Sequence, residues 1–122
     1  MPKVLIADDE PGILLSLEFL MKKEGHRVFI ARDGREALAL VEQEQPDVLV
    51  LDVMMPHLNG LELCRAVRAN PVHQAVKIIF LSAKSKEADI RAGLEAGADA
   101  YLAKPFSTRD LVKRIADLLA TE

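Results

Sequence analysis

Tryptophan is absent from this chain, tyrosine and cysteine occur once each, and aromatic residues make up 4% of its 122 positions. Each scarcity excludes something. A lone cysteine cannot close an intrachain disulfide, so no covalent framework holds the fold. Cys64 instead falls among the apolar positions Leu61, Cys64 and Val67 of a helical pattern, which marks it as packing, the usual fate of a free cysteine. With few aromatics, alanine, valine, leucine and isoleucine must build the interior, and that suits an α/β domain. Positive charge is not in excess either. A formal net charge of -3 and a pI near 5.6 argue against a direct electrostatic grip on nucleic acid or an anionic membrane, since both need clustered cations. The opening stretch MPKVLIADDE reaches acidic residues by position 8. Its apolar run is too short for a signal peptide or a membrane span, and the cytoplasm is the expected location.

What is present is alternation. The hydrophobic content of 50% and charged content of 29% are those of a globular protein, and 122 residues make one domain, 1–122, without a linker. Short apolar runs alternate with helix-period segments along the whole length. The strand candidates are VLIA (4–7), VFIA (28–31), VLVL (48–51), KIIFLS (77–82) and AYLA (100–103), most of them rich in β-branched residues. Between them the first helix carries Ile13, Leu14, Leu17, Leu20 and Met21 on one stripe and stops near Gly25, and the last carries Leu111, Ile115, Leu118 and Leu119. Asp33 with Glu36, Asn59 with Glu62 and Ser107 with Asp110 have the spacing of a helix N-cap and its acidic partner. The fourth helix is the weakest, with Ile90 and Leu94 as its large apolar anchors. Continuous apolar strands alternating with helices predict a doubly wound parallel sheet covered on both faces, joined by right-handed crossovers.

In such a sheet the ligand site lies beyond the carboxyl ends of the strands. Asp8 and Asp9 follow the first run, Asp52 the third, Ser82 closes the fourth, and Lys104-Pro105 follow the fifth. Each residue alone has an ordinary reading: a helix cap for Asp9, a turn for Asp52, a strand end for Ser82, a solvated charge for Lys104. Together they put three acids, a hydroxyl and a lysine at one edge. Carboxylates about 4 Å apart repel by roughly 4 kcal/mol at an effective dielectric near 20, and one lysine does not neutralise three. A divalent cation is the complement. Oxygen ligands, with none of His26, His57 or His73 at a partner spacing, indicate a hard ion, and Mg²⁺ suits a site with few protein ligands. A carboxylate beside such an ion, a lysine and a hydroxyl is equipped to accept a phosphoryl group.

Taken in order and spacing, Asp8-Asp9, Asp52, Pro56 and Gly60 in the following loop, Ser82-Ala83, Tyr101 and Lys104-Pro105 resemble the receiver domain of two-component response regulators, over essentially the whole chain. The resemblance implies a flavodoxin-like (βα)5 fold with sheet order 2-1-3-4-5. It implies Asp52 as phosphoacceptor, Mg²⁺ held by Asp9, Asp52 and the backbone carbonyl of Met54 with Asp8 acting mainly through water, and Lys104 paired to the acceptor or the phosphoryl group through a cis bond to Pro105. Ser82 would move toward the phosphoryl group and Tyr101 would turn inward, changing the face made by the fourth helix, fifth strand and fifth helix. The partners implied are a sensor histidine kinase or histidine phosphotransfer protein and an output protein or domain, with a weak homodimer on phosphorylation left open. Met54 and Lys84 stand where the fastest-hydrolysing members carry water-orienting groups, so self-dephosphorylation is expected to be slow, and no other enzymatic activity is expected.

Three alternatives compete. A haloacid dehalogenase-type phosphatase would need an acid two residues past its nucleophile, where Met54 stands. A flavin module would need an anion-accepting loop in place of DDEPG. An interaction scaffold with a dead site would not need the full charged set. The chain stops at LLATE, near the expected end of the fifth helix, which leaves a free-standing receiver or one part of a longer regulator equally open.

Overall fold

The computed structural model describes residues 1–120. Strand β1 (Lys3–Ala7) leads to α1 (Pro11–Lys23), β2 (Arg27–Ala31) to α2 (Gly34–Glu44), β3 (Val48–Leu51) to α3 (Gly60–Ala69), β4 (Lys77–Ser82) to α4 (Glu87–Glu95), and β5 (Ala100–Ala103) to α5 (Thr108–Leu119). A single 3-10 turn, Pro71–His73, precedes β4. The five strands form one parallel sheet in the order β2-β1-β3-β4-β5. This is the doubly wound, flavodoxin-like arrangement expected from the sequence. β3 to β5 coincide with their apolar runs, while β1 and β2 each begin one residue early, at Lys3 and Arg27.

Alternate side chains of the central strands feed two cores. Leu5, Leu49, Leu51, Ile78 and Phe80 pack with Ala37, Val41, Leu63, Cys64 and Val67 of α2 and α3. Val4, Ile6, Val48, Val50, Ile79 and Leu81 pack with Leu14, Leu17 and Met21 of α1 and with Leu111 and Ile115 of α5. Every residue of β3 is buried, as a strand covered on both faces requires. Cys64 is wholly buried as packing, its thiol donating weakly to the Ala96 carbonyl at 3.4 Å, and burial pushes its pKa up to about 11.

Asn59 and Glu62 form the full reciprocal cap, whereas Asp33 and Ser107 accept only the backbone N–H of Glu36 and Asp110. Gly25 takes the left-handed conformation (φ +88°) just past α1. Leu94 is not an anchor of α4: it is 45% exposed, and the residue of that helix fully buried against the sheet is Gly93. No helix among the described residues is long and apolar enough to cross a membrane.

Candidate functional site

Strand register carries the strand-end residues to one place. Ala7 lies beside Leu51, Leu51 beside Phe80, and Ser82 beside Ala103. One more backbone bond prolongs each ladder: Asp8 N–H to Ala31, Asp52 N–H to Ala7, and Lys104 N–H to Ser82, at 3.2, 3.0 and 2.7 Å. Asp8 and Asp52 are thereby fixed side by side at the carboxyl edge, and Lys104, two strands from Asp52, reaches across the end of β4 to both.

The Lys104 ammonium has three protons and three carboxylates to receive them: Asp8 Oδ2 and Asp52 Oδ2 at 3.0 Å each and Glu10 Oε1 at 3.2 Å. Asp8 and Asp52 are buried, at 2% and 6% exposure. The second oxygen of each accepts a backbone N–H two residues on, Glu10 N–H at 2.9 Å for Asp8 and Met54 N–H at 3.1 Å for Asp52. Ser82 Oγ does the same with Lys84 N–H at 3.1 Å. Three strand ends thus begin the same short turn, in which a side-chain oxygen closes onto the chain.

Burial raises the pKa of Asp8 and outweighs the Glu10 N–H and Lys104 bonds that lower it, with the Asp52 charge adding to the rise. At Lys104 burial lowers the pKa, but the bonds and charges of Asp8 and Asp52 together win and raise it. One contact therefore has opposite outcomes at its two ends: solvent loss prevails at the acid, and two anionic neighbours prevail at the amine, which stays charged. The carboxylate oxygens of Asp8, Glu10 and Asp52 lie within 4.8 Å of one another. For Asp8, attraction to Lys104 at 3.0 Å gains about 5.5 kcal/mol at an effective dielectric of 20, whereas the other two carboxylates, taken at 4.8 Å, together oppose it by about 7. One lysine does not balance the group. A set of oxygen donors with uncompensated negative charge fits Mg²⁺.

Glu10 is the member that the strand-end pattern overlooks. It is the third acid of DDE, and nothing in its spacing separates it from an ordinary acid at a helix start. It occupies the N-cap position of α1, yet its side chain caps nothing and reaches Lys104 instead. Asp9 is exposed and stands outside the group of three. Met54 is 57% exposed. The loop after Asp52 is drawn back by a Gly60 N–H bond to the Val53 carbonyl at 2.8 Å. A side chain at Gly60 would strike the Asp52 carbonyl, so only glycine fits there. Pro56 is exposed, and its carbonyl accepts Leu58 N–H at 2.8 Å across His57, whose φ is +70°. The Lys104-Pro105 bond is cis, as the resemblance implied. Ser82 is buried at the edge of the group, and Tyr101, partly buried, donates its hydroxyl to the Lys84 carbonyl at 2.6 Å.

A family model for the response regulator receiver domain matches residues 4–116. Among solved structures, a response regulator from Chloroflexus aurantiacus is 38% identical, with 98% of each chain covered and a TM-score of 0.92. The chemotaxis protein CheY4 of Vibrio cholerae is 33% identical, covering 97% of this chain and 98% of its own, with a TM-score of 0.90. The receiver domain of a sensor histidine kinase from Pseudomonas aeruginosa, solved with a magnesium ion coordinated in its active-site cleft, is 29% identical over 98% of each chain, with a TM-score of 0.91.

Proposed function

This chain belongs to the response regulator receiver domain family, whose members act in two-component signalling with histidine kinases and output domains, and from that premise we propose that it is a phosphoacceptor with Asp52 as the acceptor. The observation that carries the reading is the Lys104 ammonium held at 3.0 Å from both Asp8 and Asp52, with Glu10 beside them, at the carboxyl edge of the sheet. In the proposed reaction an Asp52 carboxylate oxygen attacks the phosphorus of a phosphohistidine in a sensor kinase or phosphotransfer protein. The new P–O bond forms as the P–N bond breaks, and the departing imidazole takes up a proton.

Lys104 supplies fixed positive charge where the phosphoryl oxygens gain negative charge, and the Met54 and Glu10 N–H bonds hold the two aspartates still. Asp52 and the Met54 carbonyl, with Asp9 turning in from its exposed position and Asp8 acting through water, would hold Mg²⁺, which would supply the charge compensation that a single lysine cannot. Ser82 is the residue that would bond a phosphoryl oxygen afterwards, and Tyr101 links that event to the face formed by α4, β5 and α5, which acts on the output partner. On this reading residues 1–122 are one cytoplasmic receiver domain. It promotes its own phosphorylation and slow dephosphorylation and turns over no other substrate, because the Met54 thioether has no proton to give a leaving group.

The test is intact-protein mass spectrometry after incubation with a small phosphodonor and Mg²⁺. One phosphoryl mass should appear on the native chain and none on Asp52→Asn or on native protein treated with chelator. Equal labelling of the Asn variant would remove Asp52 from the mechanism.

A further inference from the structure

A glycine in the interior of a helix is unfavourable relative to alanine, because it leaves the backbone more to lose on folding and has no side chain to pack. α4 nevertheless carries Gly93 inside its nine residues, and it is the one buried residue of that helix. Its surroundings explain this. A Cβ built at Gly93 would stand 2.8 and 3.0 Å from Cδ2 and Cε2 of Tyr101 and 3.2 Å from Cδ2 of Phe80. Neither Tyr101 atom is the end of a flexible chain. The two rings lie 5.8 Å apart, tilted by 43°. Phe80 cannot retreat, because it is completely buried and its Cε1 stands only 2.9 Å from where a Cβ would sit at Gly60 on the other side. Space for Tyr101 beneath α4 therefore exists only while position 93 has no side chain.

The hydroxyl end of the same ring touches the signalling edge. Tyr101 donates to the Lys84 carbonyl at 2.6 Å, and Lys84 donates its own N–H to Ser82 Oγ at 3.1 Å. One residue's backbone thus joins the buried serine to the tyrosine, and the tyrosine ring joins that backbone to α4.

We propose that Gly93 is the seat of Tyr101: the missing side chain at this position of α4 admits the ring between helix and sheet and so ties the placement of α4 to the state of the Asp52 site through Lys84 and Ser82. Gly93 is a positioning residue, acting through Tyr101 and touching no reacting atom. The inference rests on the phosphoacceptor reading for its link to Asp52, while the seat itself is a matter of packing.

The seat makes Gly93→Ala reverse its sign with the residue opposite. Alanine should lower the denaturation midpoint while Tyr101 is present and raise it in a Tyr101→Ala background, where the space left by the ring lets Phe80 yield the few tenths of an ångström its own 3.2 Å contact requires and helix preference then decides. Tyr101 is the sole tyrosine and tryptophan is absent, so acrylamide quenching of intrinsic fluorescence reads this one ring, and quenching should increase in Gly93→Ala. Burial raises the pKa of the Tyr101 phenol, and its ultraviolet titration should move back toward the ordinary value in the same variant. With Mg²⁺ and beryllofluoride as the phosphoryl mimic, backbone amide shifts at Val53 and Met54 should persist in Gly93→Ala while the response along β5 and α4 is lost. A midpoint that rises in both backgrounds, or falls in both, or a chain that fails to fold in both, overturns the seat, as does unchanged quenching. Failure to fold only when Tyr101 is present supports it. If the native chain ignores the mimic and takes no phosphoryl mass, the phosphoacceptor reading fails, and the midpoints and quenching still decide the seat.

Discussion

Asp8 and Asp52 each put one polar group to two uses, which is why an ordinary and a functional reading of the same residue are compatible. One oxygen closes a short turn on the N–H two residues ahead; the other oxygen is left for Lys104. A turn that fixes the Asp52 carboxylate would also fix the proposed nucleophile. Met54 shows the converse: its N–H is engaged with Asp52 while its side chain, 57% exposed, offers water only a thioether. A thioether is a poor hydrogen-bonding partner and cannot aim a water at phosphorus. Met54→Asn should therefore shorten the phosphoryl lifetime by about tenfold, less than a positioned general base supplies because an amide only orients. Decay of the phosphorylated mass after rapid donor removal measures this, and an unchanged or longer lifetime would contradict it. Asp8, Asp52, Ser82 and Lys104 were legible because they end apolar runs. Glu10 was not, since an acid at a helix start is common and only the distance to Lys104 separates it from its many equivalents.

At the scale of elements, strands were legible almost to the residue because a buried parallel strand is a continuous apolar run with few alternatives. Lys3 and Arg27 escaped because they sit at the polar amino ends of their strands. The packing of α4 escaped for a different reason: apolar periodicity scores side chains, and the helix meets the sheet through Gly93, which has none, so the pattern credited the exposed Leu94. The start of α3 separates two kinds of contribution to stability. Asn59→Ala removes one reciprocal cap and should cost about 1 kcal/mol with Asp52 left in place. Gly60→Ala forces a carbon against the Asp52 carbonyl and Val53 Cα, backbone atoms that cannot turn aside, and should cost about 1–3 kcal/mol and slow phosphorylation as well. Urea midpoints and labelling rates separate the two; equal effects on both would mean the loop yields more easily than its geometry indicates. α1 presents Leu15 and Phe19, one turn apart and 70% and 72% exposed, on a helix that starts next to Glu10. Apolar side chains left in water beside a reaction site suit a protein partner. The Leu15→Ala, Phe19→Ala double variant should lose at least about tenfold in phosphotransfer from a protein donor, since anchors of this kind are each worth more than about 1 kcal/mol, and keep its rate with a small phosphodonor. Equal losses with both donors would place the defect in the site.

For the molecule as a whole, the carboxyl edge is a source of instability that a bound cation would offset. Folding brings Asp8, Glu10 and Asp52 within 4.8 Å of one another around one ammonium, and Asp8 gives up nearly all contact with water in the process. For that residue repulsion exceeds attraction by only about 1 kcal/mol at an effective dielectric of 20, and the larger cost is the loss of water, burial being the leading cause of its raised pKa. Replacing the charge with an amide of the same shape should therefore stabilise the metal-free protein: Asp8→Asn is expected to raise unfolding free energy by about 1–2 kcal/mol, Lys104 retaining Asp52 and Glu10 as partners. Magnesium should narrow that gap. At a hundredfold excess over its dissociation constant a ligand that binds only the folded state adds about 2.7 kcal/mol, and the native chain should gain this while Asp8→Asn gains less, because one anion has gone from the site. Paired urea titrations of both proteins, with magnesium and with chelator, give four midpoints from which the sign is read directly. If Asp8→Asn is the less stable protein in chelator, the Lys104 bond outweighs the crowding; if magnesium leaves the native midpoint unmoved, the negative edge has no need of the ion, and the charge argument for metal-dependent phosphorylation falls with it.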